Sequence, residues 1–288
     1  MQNTILDSIS SSYSSMTRSA KKLSDYIFNN RSSVQYMSIT SLAEAAGVSE
    51  ATITRFCRTL GLAGYNELKL DLALAQAGRD EGEAPEEETE EVDSDSGSEL
   101  EAVCRNLYQQ DVNALSETLE LMDPERTRQA VELLTKAKRV FCFGQGGSNV
   151  TAMEAWARFS TAASKFIHIE DSHMQATAAA LCQAGDVILF FSYSGSTRDM
   201  LDVLRPAKNG GASVILITRF YNSPAASLSD VVLLCGATES PLQSGSIAAK
   251  IGQMFIIDYL FHGYWMENQE ACAAAQEITA QATARKLL

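Results

Sequence analysis

One stretch of this 288-residue chain cannot join a packed core, and it divides the remainder in two. Residues 78–101 carry a single basic side chain, Arg79, against twelve carboxylates, and almost no large apolar residue. Such a segment buries too little surface to offset the entropy of ordering it, and its like charges repel. The alternative, a solvated acidic helix, is interrupted by Gly82, Pro85 and Gly97. The expectation is a flexible acidic linker between an amino-terminal domain, 1–77, and a carboxy-terminal domain, 102–288, with its core at about 125–265.

The charge balance follows the same division. A net charge of −13 argues, taken alone, against nucleic acid. Most of it belongs to the linker, however, and residues 1–77 hold seven basic against six acidic side chains. The six cysteines (Cys57, Cys104, Cys142, Cys182, Cys235 and Cys272) form no C-x-x-C pair, and several sit in apolar runs. They read as reduced, buried thiols with no disulfide frame and no metal site. The start of the chain lacks the basic and apolar regions of a secretory signal, and no apolar run approaches the ~18 residues of a membrane span. The expected compartment is the cytoplasm, with no membrane contact and no cofactor.

From Ser19 to Ala77 the apolar periodicity is helical, with Leu23, Tyr26 and Ile27 at three- and four-residue spacing. Within it, Thr40 or Ser41 can cap a short helix whose apolar face is Leu42, Ala45 and Ala46. Gly47 then permits a left-handed turn, Val48 plugs it, and Ser49 caps a second helix with Ile53, Phe56 and Leu60 inward. Two short helices about such a turn, the second studded with Thr and Arg, suit a helix-turn-helix. Ser49, Thr52, Thr54, Arg55 and Arg58 are the expected DNA-binding residues, since Arg reads guanine or phosphate and hydroxyls reach either.

The stretch Ala43-Glu-Ala-Ala-Gly-Val-Ser-Glu-Ala-Thr-Ile-Thr-Arg-Phe-Cys-Arg-Thr-Leu-Gly-Leu-Ala-Gly-Tyr-Asn-Glu-Leu-Lys69 resembles the DNA-binding domain of RpiR-family bacterial regulators, over roughly residues 1–77. The resemblance implies an all-α helix-turn-helix domain and makes Lys21, Lys22, Arg31 and Lys69 further candidates for phosphate contact. A nearly neutral domain binds DNA weakly alone, so a homodimer on paired half-sites is expected.

Beyond helices at about 100–120 and 124–137, the texture changes. Strand-length apolar runs (Arg139–Phe143, Phe166–Ile169, Val187–Phe191, Ser213–Thr218, Val231–Leu234) alternate with helix-length segments at about 148–163, 174–183, 197–209, 224–228 and 246–265. That alternation predicts a parallel sheet with helices on both faces, an α/β three-layer αβα domain. Two loops carry its chemistry. After the first strand, Gly144-Gln-Gly-Gly-Ser148 lets backbone amides approach a ligand at a helix start, although Asn149 breaks the register of a dinucleotide fingerprint. After the third, Ser192-Tyr-Ser-Gly-Ser-Thr197 gathers hydroxyls where parallel sheets place ligands, a suitable setting for a phosphate monoester.

Together these loops resemble the sugar isomerase (SIS) domain over roughly residues 125–265. The resemblance implies that Gly146, Ser148, Ser192, Ser194 and Thr197 bind a phosphorylated sugar. A third segment, Glu239–Ser246, resembles the E-S-x-x-x-S-G stretch of RpiR-type regulators; a pocket lining, a dimer contact and a plain helix start all remain open for it. Aldose–ketose isomerisation needs an acid–base pair. His168, His173, His262, Glu154, Glu170 and Glu239 form no recognisable one, so no catalytic residue is assigned. The reading is a DNA-binding regulator of carbohydrate metabolism genes controlled by a phosphorylated sugar and acting as a dimer or tetramer. The alternative is a sugar-phosphate isomerase with an accessory DNA-binding domain.

Overall fold

The computed structural model describes residues 4–80, 96–237, 242 and 246–284. Its amino-terminal part is all helical: α1 (Ile5–Ser12), α2 (Arg18–Asn29), α3 (Arg31–Val34), α4 (Ile39–Ala46), α5 (Glu50–Thr59) and α6 (Tyr65–Asp80). Helix α1, which sequence periodicity did not mark, starts on a capping box between Thr4 and Asp7. Its Ile9 joins Leu23, Ile27, Leu42, Ile53 and Leu68 in one fully buried cluster. Each such side chain contributes about 1.5–3 kcal/mol relative to exposure. The buried Tyr65 hydroxyl donates to the carbonyls of Val34 and Met37, each at 3.2 Å, pinning the chain that leads into α4.

The next helices are α7 (Ser96–Leu121) and α8 (Pro124–Lys136), the latter capped by Asp123 with proline at its first position, as expected. Residues 78–80 and 96–101 of the expected linker are the helical ends of α6 and α7, and 81–95 lie outside the described residues. Then come β1 (Arg139–Gly144), α9 (Gly147–Ser160), β2 (Phe166–His168), α10 (Ser172–Ala180), β3 (Asp186–Phe191), α11 (Arg198–Asn209), β4 (Ser213–Thr218), β5 (Val231–Leu234), α12 (Ile247–Glu267) and α13 (Gln269–Ala284). The expected helix at 224–228 is one 3-10 turn, Ala226–Leu228. Helix α13 was not anticipated; only its Cys272 is buried, so it carries little apolar signal.

The five strands form one parallel sheet in the order β2-β1-β3-β4-β5. Period-two alternation divides each strand between two cores. Cys142, Leu189, Phe191, Ile215 and Ile217 meet α8, α9 and α12 on one face. Phe141, Phe143, Ile188, Phe190 and Leu216 meet α10 and α11 on the other. The domain is thus the three-layer αβα arrangement read from the sequence. Because β1 leads to β2 on one side while β3 leads to β4 on the other, the strand order reverses between β1 and β3. Ligands of open α/β sheets bind outside the carboxyl ends of strands at such a point.

Candidate functional site

The amino-terminal unit builds its turn much as the sequence implies, with two corrections. Ser38, not Thr40 or Ser41, caps α4: its hydroxyl accepts from the Ser41 amide at 3.0 Å. Thr40 instead donates to Glu50 at 2.5 Å, tying the start of α4 to the start of α5. The buried face of α4 is Leu42, Ala43 and Ala46, and Ala45 is exposed. Gly47 takes φ +62°, and Ser49 caps α5 by accepting from the Thr52 amide at 3.2 Å. Ile53, Phe56 and Cys57 are buried, while Leu60 is only half-buried at the helix end. Burial pushes the Cys57 thiol up to about 11, so it stays protonated.

Of the five residues assigned to DNA, Arg55 and Arg58 are exposed, and neither forms an ion pair within the described residues. Thr52 and Arg55 border a 450 Å³ cleft between α5 and the turn that joins α1 to α2. Ser49 is exposed with its hydroxyl 2.9 Å from that of Thr52. Thr54 turns back to the Glu50 carbonyl at 3.1 Å. Ser12, Ser15, Thr17 and Ser19 line the far wall of the cleft. Sequence reasoning missed these hydroxyls, since only the folded chain brings them beside Arg55. Lys21, Arg31 and Lys69 lie over the rings of Tyr13, Phe28 and Tyr65, while Lys22 is exposed.

In the carboxy-terminal unit both motif loops emerge from the reversal point, since Gly144 at the end of β1 pairs in register with Phe191 at the end of β3. A Cβ on Gly144 would stand 2.5 Å from the Ser148 carbonyl, so only glycine lets α9 return this closely. Gly146, at φ +55°, is the N-cap of α9, which begins at Gly147 with Ser148 second. In the other loop the buried Ser192 hydroxyl accepts from the Gly195 amide at 3.2 Å, and the Ser194 hydroxyl accepts from the Ser196 amide at 3.3 Å. Each keeps a proton to donate. Thr197 is the N-cap of α11 with no side-chain capping bond, leaving first-turn amides available to an anion.

A cleft of about 530 Å³ opens beside these loops, lined by Gln145, Gly146, Asn149, Glu170, Asp171, Ser172 and Asp199. Gly146 is the one member of the assigned phosphosugar set among its lining residues; Ser148, Ser192, Ser194 and Thr197 lie on the two loops but are not among them. His173 is exposed on α10, and His168 Nδ1 donates to the Cys142 carbonyl at 3.1 Å. The Glu239–Ser246 segment lies outside the described residues except for Leu242 and Ser246. Among the described residues no group of His, Cys, Asp and Glu could hold a metal ion, and no helix is long and apolar enough to cross a membrane.

Comparison with known proteins agrees with both halves. Residues 3–78 match the helix-turn-helix domain of the rpiR family, and residues 133–263 match the SIS domain. An uncharacterised HTH-type transcriptional regulator of Haemophilus influenzae is 33% identical over 94% of this chain and 92% of its own length. The HTH-type transcriptional regulator HexR of Pseudomonas aeruginosa is also 33% identical, over 90% of this chain and 88% of its own. The solved structure of Vibrio vulnificus NanR, complexed with ManNAc-6P, superposes with a TM-score of 0.86 at 26% identity, covering 98% of this chain and 99% of that one.

Proposed function

We propose, from the premise that this chain belongs to the rpiR family of helix-turn-helix transcriptional regulators, that a phosphorylated sugar bound at the β1–β3 reversal point controls its binding to DNA. The observation that carries the reading is the placement of two hydroxyl- and glycine-bearing loops at the carboxyl ends of adjacent strands, in a chain that also holds a helix-turn-helix. NanR, so similar along its whole length, is complexed with ManNAc-6P, which supports a sugar phosphate as the effector class.

In this reading Ser192 and Ser194 donate their free protons to phosphate oxygens, and Thr197 with the first turn of α11 supplies further donors. Gly146 and Ser148 close the site from the β1 side. Ser49, Thr52, Thr54, Arg55 and Arg58 meet the operator. The chain acts in the cytoplasm as a homo-oligomer on paired half-sites. The effector is held and not turned over, a reading supported by relatives that are named transcriptional regulators. It acts through unequal affinity for two arrangements of the oligomer. An acidic segment between the two functions favours a change in oligomer state or effective concentration over a rigid lever.

The test is a thermal-shift panel of sugar phosphates on the full chain, followed by operator titration with and without the best binder. A binder raises the melting temperature by mass action and shifts operator affinity. Ser192→Ala with Ser194→Ala abolishes that shift and leaves basal operator binding intact. A normal response in the double variant would remove these serines from the site.

A further inference from the structure

The segment that leaves β5 is seated on α7 by contacts that admit no larger residue. The Gly236 amide donates to the Thr118 hydroxyl at 2.8 Å, and that buried hydroxyl donates to the Ala114 carbonyl at 2.6 Å. A Cβ on Gly236 would stand 2.5 Å from the Ala114 carbonyl oxygen, and one on Gly252 of α12 would stand 2.6 Å from Thr118 Oγ1. The next amide, that of Ala237, donates to one carboxylate oxygen of Glu117 at 2.9 Å. The other oxygen takes the Arg219 guanidinium at 2.5 Å, and a second arm of Arg219 reaches the Cys235 carbonyl at 3.4 Å. Glu117 therefore fastens the exits of β4 and β5 to a single point on α7.

The same two exits hold the loop after β3. The Tyr193 carbonyl accepts from the Arg219 amide and from the Thr218 hydroxyl, each at 3.0 Å, while the Tyr193 hydroxyl donates to the Ala237 carbonyl at 3.2 Å. Tyr193 stands between Ser192 and Ser194, so neither serine can shift toward a ligand without moving it. Its attachments thus end on Arg219 and Ala237, the two residues that Glu117 holds. None of these three lines the cleft beside the loops. Ala237 keeps a left-handed backbone, φ +72°, that alanine rarely adopts. Strain of this kind persists only where its surroundings hold it, and its release offsets part of the bonding lost on letting go. The held and released arrangements are thereby brought close enough for a ligand to choose between them.

We infer that Glu117 and Arg219 are positioning residues that pass the state of the loop 192–197 to α7, with Ala237 as the strained joint between them. The inference rests on the effector reading above and adds how that site is coupled to the rest of the chain. Helix α7 is where the chain resumes after residues 81–95, so its seat fixes where the chain from the DNA-reading domain is anchored to the sheet. Changing that seat alters the effective concentration of the DNA-reading domains at paired half-sites, with no rigid lever required.

The experiment uses the full chain, a DNA fragment selected in vitro by the wild type, and the tightest binder among hexose and N-acetylhexosamine 6-phosphates. The readout is the ratio of DNA affinities with and without saturating sugar phosphate, which by linkage equals the ratio of sugar-phosphate affinities with and without DNA. In wild type that ratio departs from one by about tenfold or more. Glu117→Gln and Arg219→Gln each bring it to within about threefold of one, while still binding DNA and still melting higher with sugar phosphate. The double variant loses no more than either single variant, because both act through one ion pair. Ala237→Gly melts above wild type and displaces the sugar-phosphate midpoint of the DNA response by about threefold or more. A purely structural joint would raise the melting temperature and leave that midpoint alone, so this variant also keeps the test open should a charge variant melt early. A wild-type ratio in a folded charge variant, or an unmoved midpoint in Ala237→Gly, overturns the inference and leaves the effector reading standing. Loss of sugar-phosphate binding by a folded charge variant overturns it too, since the pair would then belong to the binding site. A wild type that binds no sugar phosphate in the set, or whose DNA affinity ignores it, sinks the effector reading and this inference with it.

Discussion

The Tyr193 hydroxyl donates to the Ala237 carbonyl at 3.2 Å, joining the loop after β3 to the chain leaving β5. Ala237 is the one non-glycine residue with positive φ, +72°, among the described residues. Its amide donates to Glu117 of α7 at 2.9 Å, and Glu117 pairs with Arg219 at 2.5 Å. A left-handed alanine costs roughly 1–2 kcal/mol and persists only where its surroundings hold it. Ala237→Gly is therefore expected to raise stability by about 1 kcal/mol. Tyr193→Phe should lower it by a similar amount, about 1 kcal/mol, and should weaken sugar-phosphate binding several-fold by loosening the loop. Thermal unfolding and ligand titration of the two variants check both signs.

Gly195 sits at φ +59° in the same loop, and a Cβ there would collide with the Ser223 side chain. Its amide is the donor that Ser192 accepts, and its carbonyl accepts from the Ala225 amide at 3.0 Å. Gly195→Ala thus strains the backbone and displaces Ser192 together. The expected outcome is a loss of about 2 kcal/mol in unfolding free energy and no effector response in operator titration, with DNA binding retained at a temperature where the variant is folded.

Ser38 buries its hydroxyl as the cap of α4, whereas Thr40 spends its own on Glu50. Ser38→Ala should destabilise the amino-terminal unit by about 1 kcal/mol, and Ser38→Asp should restore most of that. Thr40→Val removes one inter-helix bond and leaves the cap in place, so its unfolding midpoint should fall less. Chemical denaturation followed through the helical signal separates the two.

How much of this was legible in the sequence depended on the kind of signal. The strands were readable to within a residue because continuous apolar runs such as Val187–Phe191 are buried on both faces. Gly47 and Ser49 were readable because only a few residue types perform a left-handed turn and a cap. Ala43 and Ala45 were not separable: either completes a helical stripe with Leu42 and Ala46, and the packing partner makes the choice. The two glycine- and hydroxyl-bearing loops were visible as motifs, but their adjacency came from the strand order, which no local pattern encodes. That Gln145 Nε2 and Asn149 Oδ1 are buried without a partner could not be read at all, since burial is defined by everything folded around an atom.

Asp186 starts β3 opposite Arg139, the start of β1, and takes a two-pronged bond from it at 3.0 and 2.6 Å, with a third from the Gln183 amide at 2.9 Å. The Arg139 guanidinium, aided by that amide, holds the Asp186 carboxyl below the usual carboxylate range against the opposing effect of burial. A carboxylate lowered in the folded state contributes stability above its unfolded pKa of about 3.9. That contribution is lost as pH falls through the unfolded value toward the folded one. Asp186→Asn should cost about 1–2 kcal/mol at neutral pH, a figure moderated by the half-exposed arginine. It should also flatten the decline in melting temperature below about pH 4. A variant whose acid decline matches wild type would show that other carboxylates control the transition.

Arg55 stands exposed on α5 beside the hydroxyl-lined cleft, with no carboxylate paired to it among the described residues. An unpaired guanidinium on the second helix of a helix-turn-helix is free for either of two tasks, and salt separates them. Phosphate contact releases counterions, so losing it lowers affinity for every sequence alike and reduces the slope of log affinity against log salt by about 0.9. Base reading costs about 1–3 kcal/mol and relaxes preference at one position while the slope stays put. With Thr52 and Arg55 sharing the cleft wall at the start and middle of α5, base reading is the expected task. Arg55→Ala should weaken operator binding at least tenfold, leave random-sequence binding and its salt slope unchanged, and preserve the melting shift given by the sugar phosphate. Arg55→Lys should recover little, because an ammonium cannot reproduce the two-pronged contact. Equal losses on operator and random DNA would reassign Arg55 to the backbone.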